Sequence, residues 1–227
     1  SQLQDKALFG KSAEAKVWIT YDYHNETFAD LTVVSLRKPI VNIIALNTPL
    51  PSELLISMRV APPVFGRGLL EAISETDLLR QADEQDLNKD GISGKANSIY
   101  DPISKKNLIG RFGLKANNPT LLTQAAGAYA EDMGVTNYIN KTDPSSDGLS
   151  DDPELSDEDL LATTFYTQSL AVPKRRNSEL ASVKRGEQLF KTLNCNACHV
   201  PQYKTASHPI KSLENQLIFP NLLLCLS

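Results

Sequence analysis

Cys195 and Cys198 stand three residues apart in the run Cys195-Asn196-Ala197-Cys198-His199, and a histidine follows the second thiol at once. Two thiols at that spacing can each add to a vinyl group of haem as a thioether, while the adjacent imidazole serves as proximal ligand to the iron. Two other chemistries use the same thiols, a redox dithiol and half of a zinc site. A redox pair usually opens a helix after a strand, whereas this motif follows a predicted helix. A zinc site would need a second ligand pair, and Cys225 and His208 stand alone. The run therefore reads as an attachment site for haem c: Cys195 and Cys198 bind the cofactor covalently and His199 ligates its iron.

Other residue types could join this chemistry. Met133 is a candidate distal ligand to the iron, although at the end of a predicted helix it reads equally as core filler. Met58 has the same two readings. His24 lies in a polar stretch and reads as an exposed turn residue. In Asp86-Leu87-Asn88-Lys89-Asp90-Gly91-Ile92-Ser93, oxygen-bearing side chains recur at every second position before a glycine. That is how a calcium loop opens, with Asp86, Asn88 and Asp90 as ligands. The twelfth position, where an EF-hand places a bidentate glutamate, is Asn97. The isoleucine also comes one residue early. A structural calcium site and a simple acidic turn both fit.

Elements must position these groups. Upstream of the cysteines, Ser178 is a plausible cap for a helix over 179–193, which sets Val183, Gly186, Leu189, Phe190 and Leu193 near one face. A glycine inside a helix costs about 1 kcal/mol relative to alanine, so Gly186 suggests a close crossing by another helix. Near the start, Val17, Ile19, Tyr21 and Tyr23 alternate with Trp18, Thr20 and Asp22 at the period of a strand. A turn at 24–26 would lead into β-branched runs over 31–36 and 40–46, giving a hairpin or small meander. Helices follow: one capped by Ser74, one opening after Asn118-Pro119 and stopped by Gly134, and one opening at Ser156 and ended by Pro173.

Composition limits the class. The 227 residues are 41% hydrophobic and 22% charged, with a formal charge of -4, enough for one sizeable core or two small ones. No basic stripe marks a nucleic-acid partner. The cluster Lys174-Arg175-Arg176 sits between predicted helices as a solvated linker. The acidic stretch 143–159 reads as a solvated loop. No apolar run approaches the roughly 20 residues of a membrane span, and no signal peptide opens the chain.

Several further strings, in one order, resemble a known family. They are Arg59-Val60-Ala61-Pro62-Pro63-Val64-Phe65-Gly66, Gly68-Leu69-Leu70-Glu71-Ala72-Ile73, Asp90-Gly91-Ile92-Ser93-Gly94 and Gly110-Arg111-Phe112-Gly113. Together they look like the di-haem oxidoreductase family, whose members are described as thiol oxidoreductase-like proteins or peroxidases, and the likeness runs from Leu3 to about Pro220. Arg185-Gly186-Glu187-Gln188-Leu189-Phe190 and the cysteine motif likewise resemble the first helix of class I cytochrome c domains. The resemblance implies a periplasmic or exported protein with two c-type haems, its first attachment motif lying upstream of Ser1. Leu114 stands where relatives commonly have tryptophan, and Leu222-Leu223-Leu224-Cys225 where they have a His-Asp-Met-Gly string.

The resulting expectation is a mainly α fold with a small β hairpin or meander, and a cytochrome c-like haem domain incomplete at its C-terminal end. Residues 1–175 would form a family-specific region with the hairpin, the calcium loop and helices, and residues 176–227 the partial haem domain. The function implied is that of a haem-binding oxidoreductase, a di-haem peroxidase or thiol oxidoreductase-like protein, served by an electron donor or acceptor protein. The alternatives are an electron-transfer module without its own substrate and an inactive truncated remnant. For acid or base groups over the iron the candidates are Glu71, Arg59 and Arg111, with Arg67 beside them; the arginines could equally pair with haem propionates or surface carboxylates.

Overall fold

A computed structural model of the chain describes residues 12–46, 55–142 and 153–220, together with isolated positions before residue 54. The chain divides into two compact units, Ser1–Ala61 with Glu131–Met133, and the remainder.

The first unit holds an antiparallel hairpin of two 13-residue strands, β1 (Ala15–Thr27) and β2 (Val33–Ala45). β-Branched and aromatic residues favour this extended backbone. The strand does not turn at His24. Instead His24 pairs with Leu36 and Glu26 with Val34, and the reversal falls at 28–32. There Leu31 takes a positive φ of 67° and Asp30 Oδ1 accepts the Thr32 N–H at 3.0 Å.

The second unit begins with two short helices, α1 (Arg67–Glu71) and α2 (Glu75–Arg80), the latter capped by Ser74, whose Oγ accepts the Asp77 N–H at 3.1 Å. Strands β3 (Ser98–Asp101) and β4 (Lys106–Ile109) form a tight hairpin. Asp101 closes its turn by accepting the Ser104 N–H at 2.8 Å. Helix α3 (Leu121–Met133) opens on a reciprocal cap between Thr120 and Thr123 and stops at Gly134, whose φ of 68° suits glycine. Helix α4 (Asp157–Ser169) opens on Ser156 and ends before Pro173. Helix α5 (Ala181–Thr192) starts two residues later than the sequence suggests, and Ser178 does not cap it. Two-residue strands β5 (Tyr203–Lys204) and β6 (Leu217–Ile218) pair near the end of the described chain.

The mainly α expectation is overturned. Helices take 28% of the structure and strands 22%, the latter in small antiparallel sheets. The hairpin is long rather than small, two further strand pairs escape the periodicity argument because each is short, and α1 and α2 are cut to little more than a turn. After His199 the described chain runs into β5, a 3-10 turn over Lys211–Leu213 and β6, with no further helix.

These last strands belong to the core. Ile73, Leu78, Tyr203 and Ile218 form a buried cluster, with Leu69, Leu70, Ile109 and Val200 packed against it. Backbone contacts tie the same segment to the end of α1: Ile73 bridges Thr205, and the Ala206 N–H donates to the Ala72 carbonyl at 2.8 Å. Val200 follows His199 directly, so the cysteine motif is anchored on its C-terminal side by apolar burial.

Candidate haem attachment site

Cys195, Asn196 and Ala197 form a single 3-10 turn that α5 feeds through Asn194, which takes a left-handed φ of 58°. The His199 N–H closes the turn by donating to the Cys195 carbonyl at 3.0 Å. Both thiols are free rather than in a disulfide, Cys195 partly buried and Cys198 exposed. The His199 ring is partly buried and lies against Phe190, with ring centroids 5.9 Å apart and planes tilted by 50°. The turn thus gathers two thiols and an imidazole in the five residues that follow a helix.

Helix α5 above this turn buries none of its residues. Its apolar face is open: Leu189 is 46% exposed and Leu193 just beyond it 70%. A Cβ added at Gly186 would meet no atom within 4 Å, so no described residue uses the close approach that a glycine permits. An amphipathic helix with its apolar side uncovered lacks the burial that normally stabilises such a helix in water.

The acid and base candidates sit elsewhere, each with a defined task. Glu71 spends both carboxylate oxygens on structure: Oε1 accepts the Leu121 N–H at 2.7 Å, at the first turn of α3, and Oε2 accepts Gln168 Nε2 at 2.6 Å on α4. A carboxylate is well placed at a helix N-terminus, where orphan N–H groups and the helix dipole favour negative charge. Arg111 Nη1 donates to the carbonyls of Leu70, Glu71 and Ile73 at 3.2, 2.9 and 2.5 Å, the complementary arrangement at the C-terminal end of α1. Burial pulls the Arg111 guanidinium below the ordinary arginine range, while the Glu75 and Glu71 carboxylates oppose that shift. Arg67 donates through Nε to the Pro63 carbonyl at 2.7 Å and lines a shallow pocket with Pro62, Phe112, Leu121 and Thr167. Arg59 is exposed and belongs to the first unit.

The motif strings around these residues are packing devices. Gly66 adopts a φ of 74°, and its N–H donates to the Leu170 carbonyl at 2.9 Å. A Cβ at Gly68 would collide with the Gln168 backbone, so α1 and α4 meet at glycine contact. In Gly110-Arg111-Phe112-Gly113, Phe112 is buried and pairs through its backbone with Asn118.

Met133 ends α3 and is 56% exposed, and Met58 is 44% exposed. His24 lies on β1, 3.7 Å from the Glu26 carboxylate. His208 Nδ1 accepts the Ile210 N–H at 3.1 Å. In the 86–93 loop the acidic oxygens are engaged by backbone: Asp86 Oδ1 accepts the Asp90 N–H at 3.0 Å, Asn88 Oδ1 the same N–H at 2.9 Å, and Asp90 Oδ1 the Ile92 N–H at 2.8 Å. The last two are Asx turns, and with the Asp86 bond they shape the loop. Among the described residues no three His, Cys, Asp or Glu side chains converge to hold a metal ion. No helix among them is long and apolar enough to cross a membrane. Cys225, the 222–225 string and residues 143–152 of the acidic stretch lie outside the described residues.

Sequence reasoning did not reach the partnership of Glu71 with Gln168, 97 residues away, or the role of Tyr203 in anchoring the segment after the motif. The available signals were Gly68, three residues before Glu71, and the aromatic residue closely following His199.

Comparison with known proteins gives one match. Residues 2–226 fit the family described as "Di-haem oxidoreductase, putative peroxidase". No curated protein and no solved structure matches the chain.

Proposed function

This chain belongs to the di-haem oxidoreductase family, and we propose that it carries a covalent haem c at Cys195, Cys198 and His199 and works as a haem-dependent peroxidase in an exported compartment. The observation that carries this reading is the turn at 195–199, which presents two free thiols and a partly buried imidazole under an uncovered apolar helix. The donor set suits haem c. The thiols provide the two thioether bonds, and the imidazole provides an axial nitrogen. Val183, Leu189, Phe190 and Leu193 offer the apolar surface that a large macrocycle requires.

A bound haem supplies one-electron and peroxide chemistry. The protein's own residues supply position. Phe190 restricts the His199 ring, the 3-10 turn fixes the thiols relative to the imidazole, and Val200 and Tyr203 hold the turn to the core. Glu71 and Arg111 act at a distance as positioning residues, because their polar atoms already bind the ends of α1 and α3. An electron donor or acceptor protein completes the cycle.

The test is expression of the full chain with c-type maturation machinery, followed by a pyridine haemochrome spectrum and a peroxide assay. A covalent haem c signal with peroxide-dependent turnover supports the proposal. Absence of covalent haem overturns the attachment site, and covalent haem that is inert to peroxide overturns the peroxidase assignment in favour of electron transfer.

A further inference from the structure

We infer that the outer edge of β1 is a self-association surface, which pairs antiparallel with β1 of a second copy about Tyr21 to make a continuous four-stranded sheet.

The ladder geometry decides which groups are available. In an antiparallel pair, residues alternate between facing the partner strand and facing away. The Leu46 N–H donates to the Glu14 carbonyl at 3.0 Å in the register that pairs Ala15 with Ala45. Even-numbered residues of β1 therefore direct their backbone groups to β2, and Val17, Ile19, Tyr21, Tyr23 and Asn25 direct theirs outward. Pro39, opposite Tyr21, is tolerated for the same reason, because its missing N–H would point away from β1.

The two edges are not equivalent. On β2 the outer edge is interrupted by Pro39 next to Arg37 and Lys38, the features by which proteins block unwanted pairing. On β1 no proline interrupts 13 residues. Every one of them after Ala15 is exposed, and no strand among the described residues borders that edge. A two-stranded hairpin is marginal in water by itself, and three or more strands with an apolar face are needed for independent stability. Trp18, Ile19 and Tyr21 are each more than 40% exposed.

Strand overlap and charge together select a second copy as the occupant and set the register, since only an axis on Tyr21 overlaps all 13 residues of β1. With Tyr21 on the two-fold axis, the whole strand overlaps and Lys16 falls opposite Glu26 of the other copy, twice per dimer. Thr20 then meets Asp22, and Ile19 meets Tyr23. Moving the axis to Asp22 would set Asp22 against itself, and moving it to Thr20 would set Glu14 against Glu26. Like charges directly opposed are destabilising.

Sedimentation equilibrium of the full chain tests the inference. The expected result is a dimer that Tyr21→Pro makes monomeric, since that change removes an outward N–H and spares the ladder to β2. Lys16→Glu and Glu26→Lys should each weaken the dimer about tenfold by replacing two attractive pairs with two repulsive ones, and the double exchange should restore it. Unchanged circular dichroism in the charge variants separates loss of pairing from loss of fold. A wild-type chain that stays monomeric at all concentrations overturns the inference, as does a dimer indifferent to both Tyr21→Pro and the charge exchange.

Discussion

Glu71 and Gln168 meet at 2.6 Å, carboxylate oxygen to side-chain amide, and so join the C-terminal residue of α1 to α4 across 97 residues of sequence. The other Glu71 oxygen holds the first N–H of α3, so three helices converge on one carboxylate. Removing it leaves two partly buried donors unsatisfied. Glu71→Ala should lower stability by about 2–4 kcal/mol, from the loss of two hydrogen bonds to a charged acceptor at ~1.5–3 kcal/mol each, partly recovered by water. Glu71→Gln should recover part of that loss. Chemical denaturation of the three proteins measures the order.

Gly68 lets α1 approach α4 with no side chain between them. Gly68→Ala drives a methyl into the Gln168 backbone, which cannot withdraw as a side-chain tip could. The expected cost is about 1–3 kcal/mol, against the small gain an alanine gives at an unobstructed helix position. Gly186→Ala, where a Cβ meets nothing, should instead stabilise the haem-free chain slightly, by up to about 1 kcal/mol. Thermal unfolding of both variants checks the opposite signs.

Tyr203 anchors the segment that follows the cysteine motif. Burial pushes its phenol above the ordinary tyrosine range, and the nearby Asp77 carboxylate adds to the shift. A folded-state value raised above the unfolded one means stability that is fully present below the ordinary tyrosine range and is lost as the pH rises through the folded value. Burial and the Asp157 carboxylate raise Tyr138 as well, so in alkaline titration followed by tyrosine absorbance two tyrosines should ionise late, Tyr203 together with unfolding. Tyr203→Phe should remove that step, and Tyr203→Ala should cost about 3–5 kcal/mol as a large-to-small core change.

Asp101 gives the opposite sign at acid pH. Burial by itself would raise its carboxyl, but hydrogen bonds from the Ser104 side chain and N–H and from the Ile103 N–H outweigh that and hold it below the ordinary aspartate range. Its contribution is therefore present above the ordinary aspartate range and is lost as the pH falls through the lowered folded value. Asp101→Asn should lose stability at neutral pH and show a flatter acid limb than the parent in denaturation at stepped pH.

At the attachment turn, the three side chains should separate by phenotype. Cys195→Ala and Cys198→Ala should each remove one thioether, shifting the pyridine haemochrome band toward that of a singly attached haem, and the double variant should lose covalent haem entirely. His199→Ala should leave thioether attachment partly intact while altering the Soret band. An unaltered Soret band in His199→Ala would exclude the imidazole as iron ligand.

The sequence by itself determined what is local. Cys195, Cys198 and His199 carry their chemistry in their spacing. Ser74, Ser156 and Gly134 announce helix ends because a cap involves groups within a few residues of one another. Alternation over 17–23 identified a strand, since a period of two needs no partner to be seen. Even there the turn was misplaced: polar His24 and Glu26 read as a reversal, yet they continue β1 because Leu36 and Val34 pair across from them.

Tertiary structure decided everything that depends on distant partners. The β3–β4 and β5–β6 pairs are too short for periodicity to register; Tyr203 of β5 and Ile218 of β6 are buried with Ile73 and Leu78, and Ile109 of β4 packs against that cluster. Glu71 and Arg111 looked like reactive groups in sequence, where a charged side chain carries no sign of what it will touch. In the fold each meets backbone at a helix end, because an unsatisfied N–H or carbonyl there is costly to bury. The turn at 195–199 was legible in advance for the converse reason, that its thiols and imidazole lie within five residues. The structure adds that no residue of the helix above them is buried and that the His199 ring lies against Phe190.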